Sequence, residues 1–272
     1  MTLDLCDLSN TQVLDYLSER KDDIVMLFSN CNTEQKNKNQ NIIANLEFYP
    51  NTKYVELYNE LTKIPMLWKN IGYMSLTLLQ QICYRGDVLF VPCITNLIQY
   101  PDLWEICCCA QNTALHLLIY SFRNYYKIEF HNILLELTKY PRLWSYNNNN
   151  NSTPLHEVCL FRNDIIVDIA EGLTNYPDLW EKYDGHQMTP LHYLCSHSIN
   201  IDKKKYINLF SKLSKYIHLW KNKDYFGYTP LHLFCRNFPG NEFYEIYKKF
   251  ERFPELWTIQ NRNGLTPKDM LA

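Results

Sequence analysis

All six tryptophans of this chain occupy the same position in a sequence repeat. Each one directly follows a leucine and precedes a threonine by nine residues, and successive tryptophans are 36 to 40 residues apart. A period of this length is typical of proteins built from stacked repeat units. Such stacks usually present binding surfaces, so the period also disfavours an enzyme. The tryptophans are Trp68, Trp104, Trp144, Trp180, Trp220 and Trp257.

The tryptophans have two interpretations. One indole per unit, packed against the next unit, would hold the stack together by burying about 150–250 Å² each. The alternative is an aromatic platform for a ligand. Because a ligand site needs only one or two rings, regular spacing in every unit favours the structural interpretation.

The bulk composition gives no sign of a nucleic-acid or membrane partner. The chain has 27 Lys and Arg residues against 29 Asp and Glu residues, a formal net charge of −2. No apolar run reaches the ~18 residues that suggest a membrane span. Asp4 and Asp7 lie where a secretory signal has basic residues. We therefore expect the chain to reside in the cytoplasm or nucleus. We also expect a monomer.

A helix is predicted to begin at each repeat threonine. Thr153 suits the N-cap position, and Pro154 is preset for the first helical turn. Leu155, Val158 and Cys159 then have the spacing of a buried helical face. The same Thr-Pro-Leu-His sequence occurs at residues 189–192 and 229–232, Thr113 lacks only the proline, and Thr77 lacks both the proline and the histidine.

A second helix is predicted in each unit. Residues 164–175 have apolar side chains at helical spacing and lead into Tyr176-Pro177. The residue before proline is disfavoured in a helix, so this step predicts a helix end. Extra residues between the two helices, at 121–131 and 196–205, explain the longer periods. Within the second of these, Lys203, Lys204 and Lys205 favour a solvated loop, with an acidic partner as the alternative.

These sequences resemble the ankyrin repeat, whose motif is Thr-Pro-Leu-His in units of about 33 residues. The resemblance covers residues 41–272, as about six repeats and a truncated C-terminal cap. It implies an all-α solenoid of helix-turn-helix units with finger loops. The chain departs from the family where proline and tryptophan replace the glycine after the second helix and the small residue that opens the finger. The first unit, Asn41 to Trp68, lacks the motif and is predicted to be degenerate.

Residues 1–40 have a different pattern, with apolar residues that suggest two short helices followed by a polar stretch at Asn32–Asn41. We predict a small helical N-terminal cap. The spacing also resembles an F-box, the module that links adaptors to cullin ubiquitin ligases, although Leu8-Ser9 stands where that family has Leu-Pro. The alternative function is therefore a substrate-recruiting adaptor.

The resemblance to ankyrin repeats implies a non-enzymatic protein that binds a partner protein. The contacts would come from the finger tips and from the exposed side of the first helices, which together form a concave face. Local packing of these residues is the alternative. The asparagine-rich, lysine-rich composition suggests an AT-rich genome, such as that of a large DNA virus, an amoeba or an intracellular bacterium. An F-box followed by ankyrin repeats is an arrangement of host-directed viral and bacterial proteins, so the resemblance implies such a protein here. The predicted partner-binding residues are Leu117, Glu157, Tyr193, Leu233, His186, Tyr225, Phe226 and Arg262.

We expect no catalytic residue, metal or cofactor. The repeated histidines His116, His156, His192 and His232 lie one unit apart, too far to share a zinc ion. The resemblance implies that they tie the helix start to the finger backbone. The repeated cysteines Cys83, Cys159, Cys195 and Cys235 are expected to be buried and reduced, and Cys107–Cys109 to fill a loop rather than hold a soft metal. An enzyme whose catalytic part lies beyond Ala272 is a third hypothesis.

Overall fold

The computed structural model describes residues 9–24, 52–125, 128–160, 165–196, 202–240 and 243–271. Within these ranges the chain forms α- and 3-10 helices and no strand, with one isolated antiparallel bridge between Ile71 and Thr77. The all-α prediction is confirmed for this part of the chain. None of the helices described is long and apolar enough to cross a membrane. The chain divides into two compact units, Met1–Glu136 and Leu137–Ala272.

Seven α-helices begin in the first unit, and the last of them ends at Leu137, one residue beyond the boundary of the unit. They are α1 (Asn10–Ser18), α2 (Val55–Leu61), α3 (Leu78–Arg85), α4 (Val91–Leu97), α5 (Pro101–Trp104), α6 (Ala114–Tyr125) and α7 (Glu129–Leu137). Short 3-10 helices lie at Lys21–Asp23, Thr52–Tyr54, Pro65–Trp68, Tyr73–Ser75 and Val88–Phe90. Helix α6 packs along α3, and α4 packs along α2.

The second unit continues the same order of elements. Its helices are α8 (Pro154–Cys159), α9 (Ile165–Gly172), α10 (Pro177–Trp180), α11 (Pro190–Ser196), α12 (Lys203–Leu213), α13 (Pro230–Asn237), α14 (Tyr244–Phe250) and α15 (Pro254–Trp257). The 3-10 helices are Pro141–Ser145, Ile217–Lys221 and Pro267–Met270. The first helices α8, α11 and α13 pack side by side in chain order, and so do the second helices α9, α12 and α14.

Each repeat threonine lies directly before a helix, in the N-cap position, as predicted. The Thr153 hydroxyl accepts the backbone N–H of His156, while the Thr153 N–H donates to His156 Nδ1 at 3.1 Å. Because a backbone N–H can only donate, Nδ1 is unprotonated and the proton lies on Nε2. This Nε2 contacts the carbonyl oxygens of Lys182 and Met188, each at 3.1 Å. The histidine therefore ties the helix start to the next finger, which confirms the expectation from the resemblance.

Other residues perform the same task where the histidine is missing. Gln80 Oε1 accepts the N–H of Thr77 at 2.8 Å, and Gln80 Nε2 donates to the carbonyls of Ile106 and Asn112. These partners lie 26 and 32 residues ahead, the same separations as for His156. The repeat that begins at Thr77 lacks the Thr-Pro-Leu-His motif, yet its cap has the same hydrogen-bond geometry as the cap at Thr153.

The tryptophan step is a helical turn of its own. A proline or isoleucine begins this turn, and the indole Nε1–H donates to the carbonyl seven residues earlier, near the end of the second helix. That carbonyl also accepts the backbone N–H of the residue three positions later, so the indole is its second donor. The prediction that the Tyr-Pro pair ends the second helix is wrong in detail, since α9 already ends at Gly172. The bonds join Trp68 to Leu61, Trp104 to Leu97, Trp144 to Leu137, Trp180 to Leu173, Trp220 to Leu213 and Trp257 to Phe250.

Two segments that the sequence predicts as loops between helices are themselves helical. Residues 121–125 extend the first helix α6, and Lys203–Lys205 form the first turn of α12 behind an Asp202 cap. A basic run can begin a helix because lysine has good helix propensity, its charges remain solvated and the Asp202 side chain caps the first backbone N–H groups.

Helix α1 turns its apolar side to α2. Its Val13, Leu14 and Leu17 are fully buried, and Ile24 beyond it is buried as well. Asp15 accepts hydrogen bonds from the Lys53 ammonium and the Tyr54 hydroxyl, and the Lys53 contact lowers the pKa of the Asp15 carboxyl. The predicted boundary between residues 40 and 41 lies outside the described residues.

Candidate protein-interaction surface

The finger of each unit is the loop between a tryptophan step and the next repeat threonine. A tight turn lies at the tip of every finger. In each turn a backbone N–H donates to the carbonyl four residues later, and the residue before that acceptor has a left-handed backbone. The left-handed residue is glycine in the last two turns and serine, glutamine or asparagine in the earlier ones. The donor–acceptor pairs are Gly72–Leu76, Cys108–Asn112, Asn148–Ser152, Asp184–Met188, Asp224–Tyr228 and Asn261–Leu265.

The four turns of the second unit are also braced by a side chain. Asp184 Oδ1 accepts the backbone N–H groups of His186 and Met188, both at 2.9 Å. Asn148, Asp224 and Asn261 make the equivalent pair of bonds in their own turns. This Asx geometry fixes the turn locally. In the first unit, Gly72 and Cys108 stand at this position and supply no carboxylate or amide oxygen.

Turns of the second unit are hydrogen-bonded to each other. The Gly185 N–H donates to the Asn150 carbonyl at 2.8 Å, and the Arg262 N–H donates to the Phe226 carbonyl at 3.0 Å. Gly227 has φ +81°, and a Cβ built on it would lie 3.0 Å from the Arg262 backbone nitrogen. The close approach of the last two turns therefore requires glycine at this position.

Three side chains form an exposed cluster on these bonded turns, which we name the tip cluster: Tyr225, Phe226 and Arg262. Tyr225 is 52% exposed and Phe226 is 61% exposed, and their rings meet edge to face at 5.3 Å. The Arg262 guanidinium lies 4.3 Å from the centre of the Tyr225 ring, which is cation–π geometry. The predicted exposure of these residues is confirmed, and that of His186 on the preceding turn as well.

The prediction that Leu117 and Leu233 are exposed is wrong. Leu117 is 8% exposed and Leu233 is 4% exposed. Helix α6 packs along α3, and α13 packs between α11 and Pro267–Met270, so the first two turns of these first helices are buried around most of the helix. In α3, α6 and α13, the exposed position instead lies seven residues after the repeat threonine. Tyr84, Tyr120 and Arg236 occupy it and are exposed.

Glu157 and Tyr193 are half-buried, and each is hydrogen-bonded to the tight turn that precedes it in the chain. Glu157 accepts a hydrogen bond from the Ser152 hydroxyl at 2.8 Å, and the Tyr193 hydroxyl donates to Asp184 Oδ2 at 2.5 Å. Burial raises the pKa of the Tyr193 phenol, and the Asp184 carboxylate raises it further. These two predicted contact residues therefore have an intramolecular role.

The repeated histidines and cysteines lie in the interior. Burial lowers the pKa of His192 to about 4 and also lowers the pKa values of His156 and His232. The four repeated cysteines are fully buried free thiols, as predicted. Among the residues with described positions, no three His, Cys, Asp or Glu side chains lie close enough to hold a metal ion.

Two surface features were not found from the sequence. Tyr84 and Tyr120 stack at 5.9 Å with their ring planes 9° apart, and both are exposed. Their shared position, seven residues after a repeat threonine, was the available signal. The second feature is an open groove of about 970 Å³ beside Tyr244, Tyr247, Trp257 and Leu271. No sequence signal distinguishes it, because the Trp257 step has the same pattern as the other steps.

Comparisons with known proteins give little further information. No protein-family model matches the chain, and no curated protein matches it. One solved structure to which the chain is similar is a predatory endopeptidase from Bdellovibrio bacteriovorus in complex with an immunity protein. The sequence identity is 16%, the match covers 71% of this chain and 89% of that chain, and the TM-score is 0.39. Similarity at this level carries no argument about function.

Proposed function

We propose that this chain is a non-enzymatic repeat protein of the ankyrin type that binds a partner protein through its finger tips. The tip cluster of the second unit is the proposed centre of contact, with His186 at its margin. Free cysteines and a composition without membrane or nucleic-acid features support a role in the cytoplasm or nucleus.

The observation that carries the proposal is the exposure of two aromatic rings and an arginine on turns that are fixed in advance. Tyrosine and arginine are enriched among residues that dominate binding energy at interfaces. Backbone bonds between turns and the Asp224 brace hold the cluster before a partner arrives. Less conformational entropy is then lost on binding, which favours affinity.

The cluster also indicates the chemistry of the partner surface. Arg262 faces the Tyr225 ring on one side and retains hydrogen-bond donors for a carboxylate. Phe226, the more exposed ring, offers an apolar surface beside it. A partner segment with an acidic side chain next to a large apolar one fits this arrangement.

Quantitative affinity capture from cells of the natural source tests the proposal. The bait with Tyr225→Ala, Phe226→Ala and Arg262→Ala is compared with the intact chain. A matched bait carries Tyr84→Ala, Tyr120→Ala and Arg123→Ala, which likewise removes two aromatic rings and an arginine from an exposed site elsewhere. We expect a partner that the intact chain and the matched bait retain and the tip variant loses. Equal recovery on all three baits would contradict the assignment.

The adaptor hypothesis is tested with the same baits. In the described part of the N-terminal segment, the fully buried apolar side chains face α2, which favours a structural cap. An adaptor would enrich cullin-ligase subunits on every bait, because none of the substitutions lies in residues 1–40.

A further inference from the structure

The open groove lies between three elements of the second unit. Helix α14 contributes Tyr244 and Tyr247, and Glu251 caps its C-terminal end. The tryptophan step contributes Trp257, and the 3-10 helix at Pro267–Met270 contributes Lys268. Tyr244 is 51% exposed, and Trp257, unlike the other five tryptophans, is partly exposed. A largely apolar groove of this kind can accept the apolar face of a helix.

The same unit shows what covers an equivalent groove. One step earlier, α12, Trp220 and α13 have the positions that α14, Trp257 and Pro267–Met270 have here. Helix α14 lies in that groove, and its Phe250 ring packs 4.5 Å from the Trp220 ring system. Trp220 is fully buried as a result. The geometry of α14 against α12 is therefore a template for a helix bound beside α14.

Charged contacts fix the register of that template. Lys205 of α12 pairs with Asp168 of α9 at 2.8 Å, and Lys212 pairs with Glu171. These lysines are seven residues apart, and a large apolar residue follows the second one. In α14, Lys249 likewise contacts Ser211 of α12 and is followed by Phe250. Successive second helices thus meet through positions i, i+7 and i+8.

Helix α14 changes one charge in this pattern. Glu245 stands where α9 has Asp168, and Lys248 stands where α9 has Glu171, as measured from the next tryptophan. Both side chains are exposed. A helix in the groove would meet an acid at its position i and a base at its position i+7.

Among the chain's own second helices, α12 and α14 carry Lys212 and Lys249 at i+7 and would place like charges together. Only α2, with the 3-10 helix directly before it, has a base at i and an acid at i+7, Lys53 and Glu60. That Lys53 already contacts Asp15 at 2.5 Å, and Leu61 at i+8 is buried, so this face of α2 is occupied within the chain. This argues against a second copy as the occupant.

We propose that the groove binds an amphipathic α-helix of a partner protein, with a basic residue at i, an acidic residue at i+7 and a large apolar residue at i+8. The basic residue lies against Glu245, the acidic residue against Lys248, and the apolar residue over Trp257. This site lies apart from the tip cluster and does not depend on it.

Fluorescence anisotropy with two labelled, helix-stapled peptides of about 16 residues tests the proposal, since unstapled helices of this length are marginal in water. One peptide carries Lys, Glu and Phe at i, i+7 and i+8, and its isomer exchanges the Lys and the Glu. For the intact chain we expect the first peptide to bind about five- to tenfold more tightly. Replacing its Phe by Ala should weaken binding about tenfold or more.

Two double variants make the result specific. Glu245→Lys with Lys248→Glu should reverse the preference between the peptides. Asp178→Lys with Lys182→Glu, a matched exchange of exposed charges elsewhere, should leave the preference unchanged. The tip-cluster variant should bind as the intact chain does, so a failure here is distinguishable from a failure of the proposed function.

Three results of the peptide measurements would overturn the proposal. They are the absence of saturable binding, equal affinity for the two peptides, and a charge-reversed variant that keeps the original preference. Self-association that the charge reversal abolishes, measured by sedimentation, would assign the groove to a second copy and overturn it as well.

Discussion

The Trp220 step and the Trp257 step share a sequence pattern but differ in their surroundings. In both, the indole N–H donates to the carbonyl seven residues earlier, at 3.2 Å for Trp220 and 3.1 Å for Trp257. Trp220 is fully buried beneath Phe250, whereas Trp257 is partly exposed and has Tyr247 as its aromatic neighbour at 6.2 Å. The hydrogen bond is therefore a local property of the step, while the burial comes from the succeeding helix.

This difference separates two contributions to stability. The indole hydrogen bond gives the indole N–H a partner, which contributes about 0.5–1.5 kcal/mol. Removal of the indole surface from water contributes more, and only a covered step has this contribution in full.

The largest expected effect is that of truncating a covered tryptophan. Trp180→Ala should lower the free energy of unfolding by about 3–5 kcal/mol, as for other large truncations in a core. Trp257→Ala should cost less, about 1–2 kcal/mol, since its indole is already partly solvated. Urea unfolding followed by circular dichroism measures both. Equal costs would mean that the cover of the succeeding helix adds nothing.

The next effect concerns the backbone of the last two turns. Gly227→Ala and Gly264→Ala each force a left-handed alanine, which costs about 1–2 kcal/mol. At Gly227 the new Cβ would also press on the Arg262 nitrogen, whereas at Gly264 it meets no atom within 4 Å. We expect the Gly227 variant to have the lower urea midpoint. The opposite order would show that these two turns are not held together.

The pH dependence distinguishes the histidine caps from the last cap. His192 has a lowered pKa in the folded chain, so the unfolded chain binds protons first as the pH falls below about 6.5. Its contribution is complete above that pH, and about 1–2 kcal/mol is lost between pH 7 and pH 5. Asp269, which accepts from Thr266 in the last cap, has a lowered pKa and loses its contribution only below the ordinary range of a carboxyl.

A single substitution isolates this effect. His192→Gln should keep the cap, as Gln80 does at Thr77, and should reduce the loss of stability between pH 7 and pH 5. Urea midpoints at several pH values measure it. An unchanged pH dependence in the variant would show that His192 does not remain neutral in the folded chain.

The smallest expected effect on stability is at the tip cluster. Tyr225→Ala with Phe226→Ala should change the free energy of unfolding by less than about 0.5 kcal/mol, because both rings are exposed. Thermal unfolding measures this change. A large loss would mean that the rings support the turns rather than await a partner.

The local parts of the fold could be predicted from the sequence. Thr153 and His156 lie three residues apart, and the cap between them follows from that spacing alone. The buried cysteines and five fully buried tryptophans follow from their period. The role of Gln80 was missed because the equivalence of an amide and an imidazole, each with one acceptor and one donor, does not appear in a motif of letters.

The surface was harder to predict because exposure depends on neighbouring helices. Leu233 follows the histidine in the same way as Tyr193, yet Leu233 is buried and Tyr193 is half-buried against Asp184. The exposed position of the tip residues Tyr225, Phe226 and Arg262 could be predicted because tight turns lie at the surface whatever packs beneath them.

Iodide quenching of tryptophan fluorescence is the most direct test of the difference in burial between the Trp220 step and the Trp257 step. Iodide reaches only exposed indoles, and Trp257 is the one tryptophan with a partly exposed side chain. We predict that Trp257→Phe removes most of the quenchable emission of the folded chain and that Trp220→Phe leaves it unchanged. Quenchable emission that persists in Trp257→Phe, or disappears in Trp220→Phe, would contradict the account.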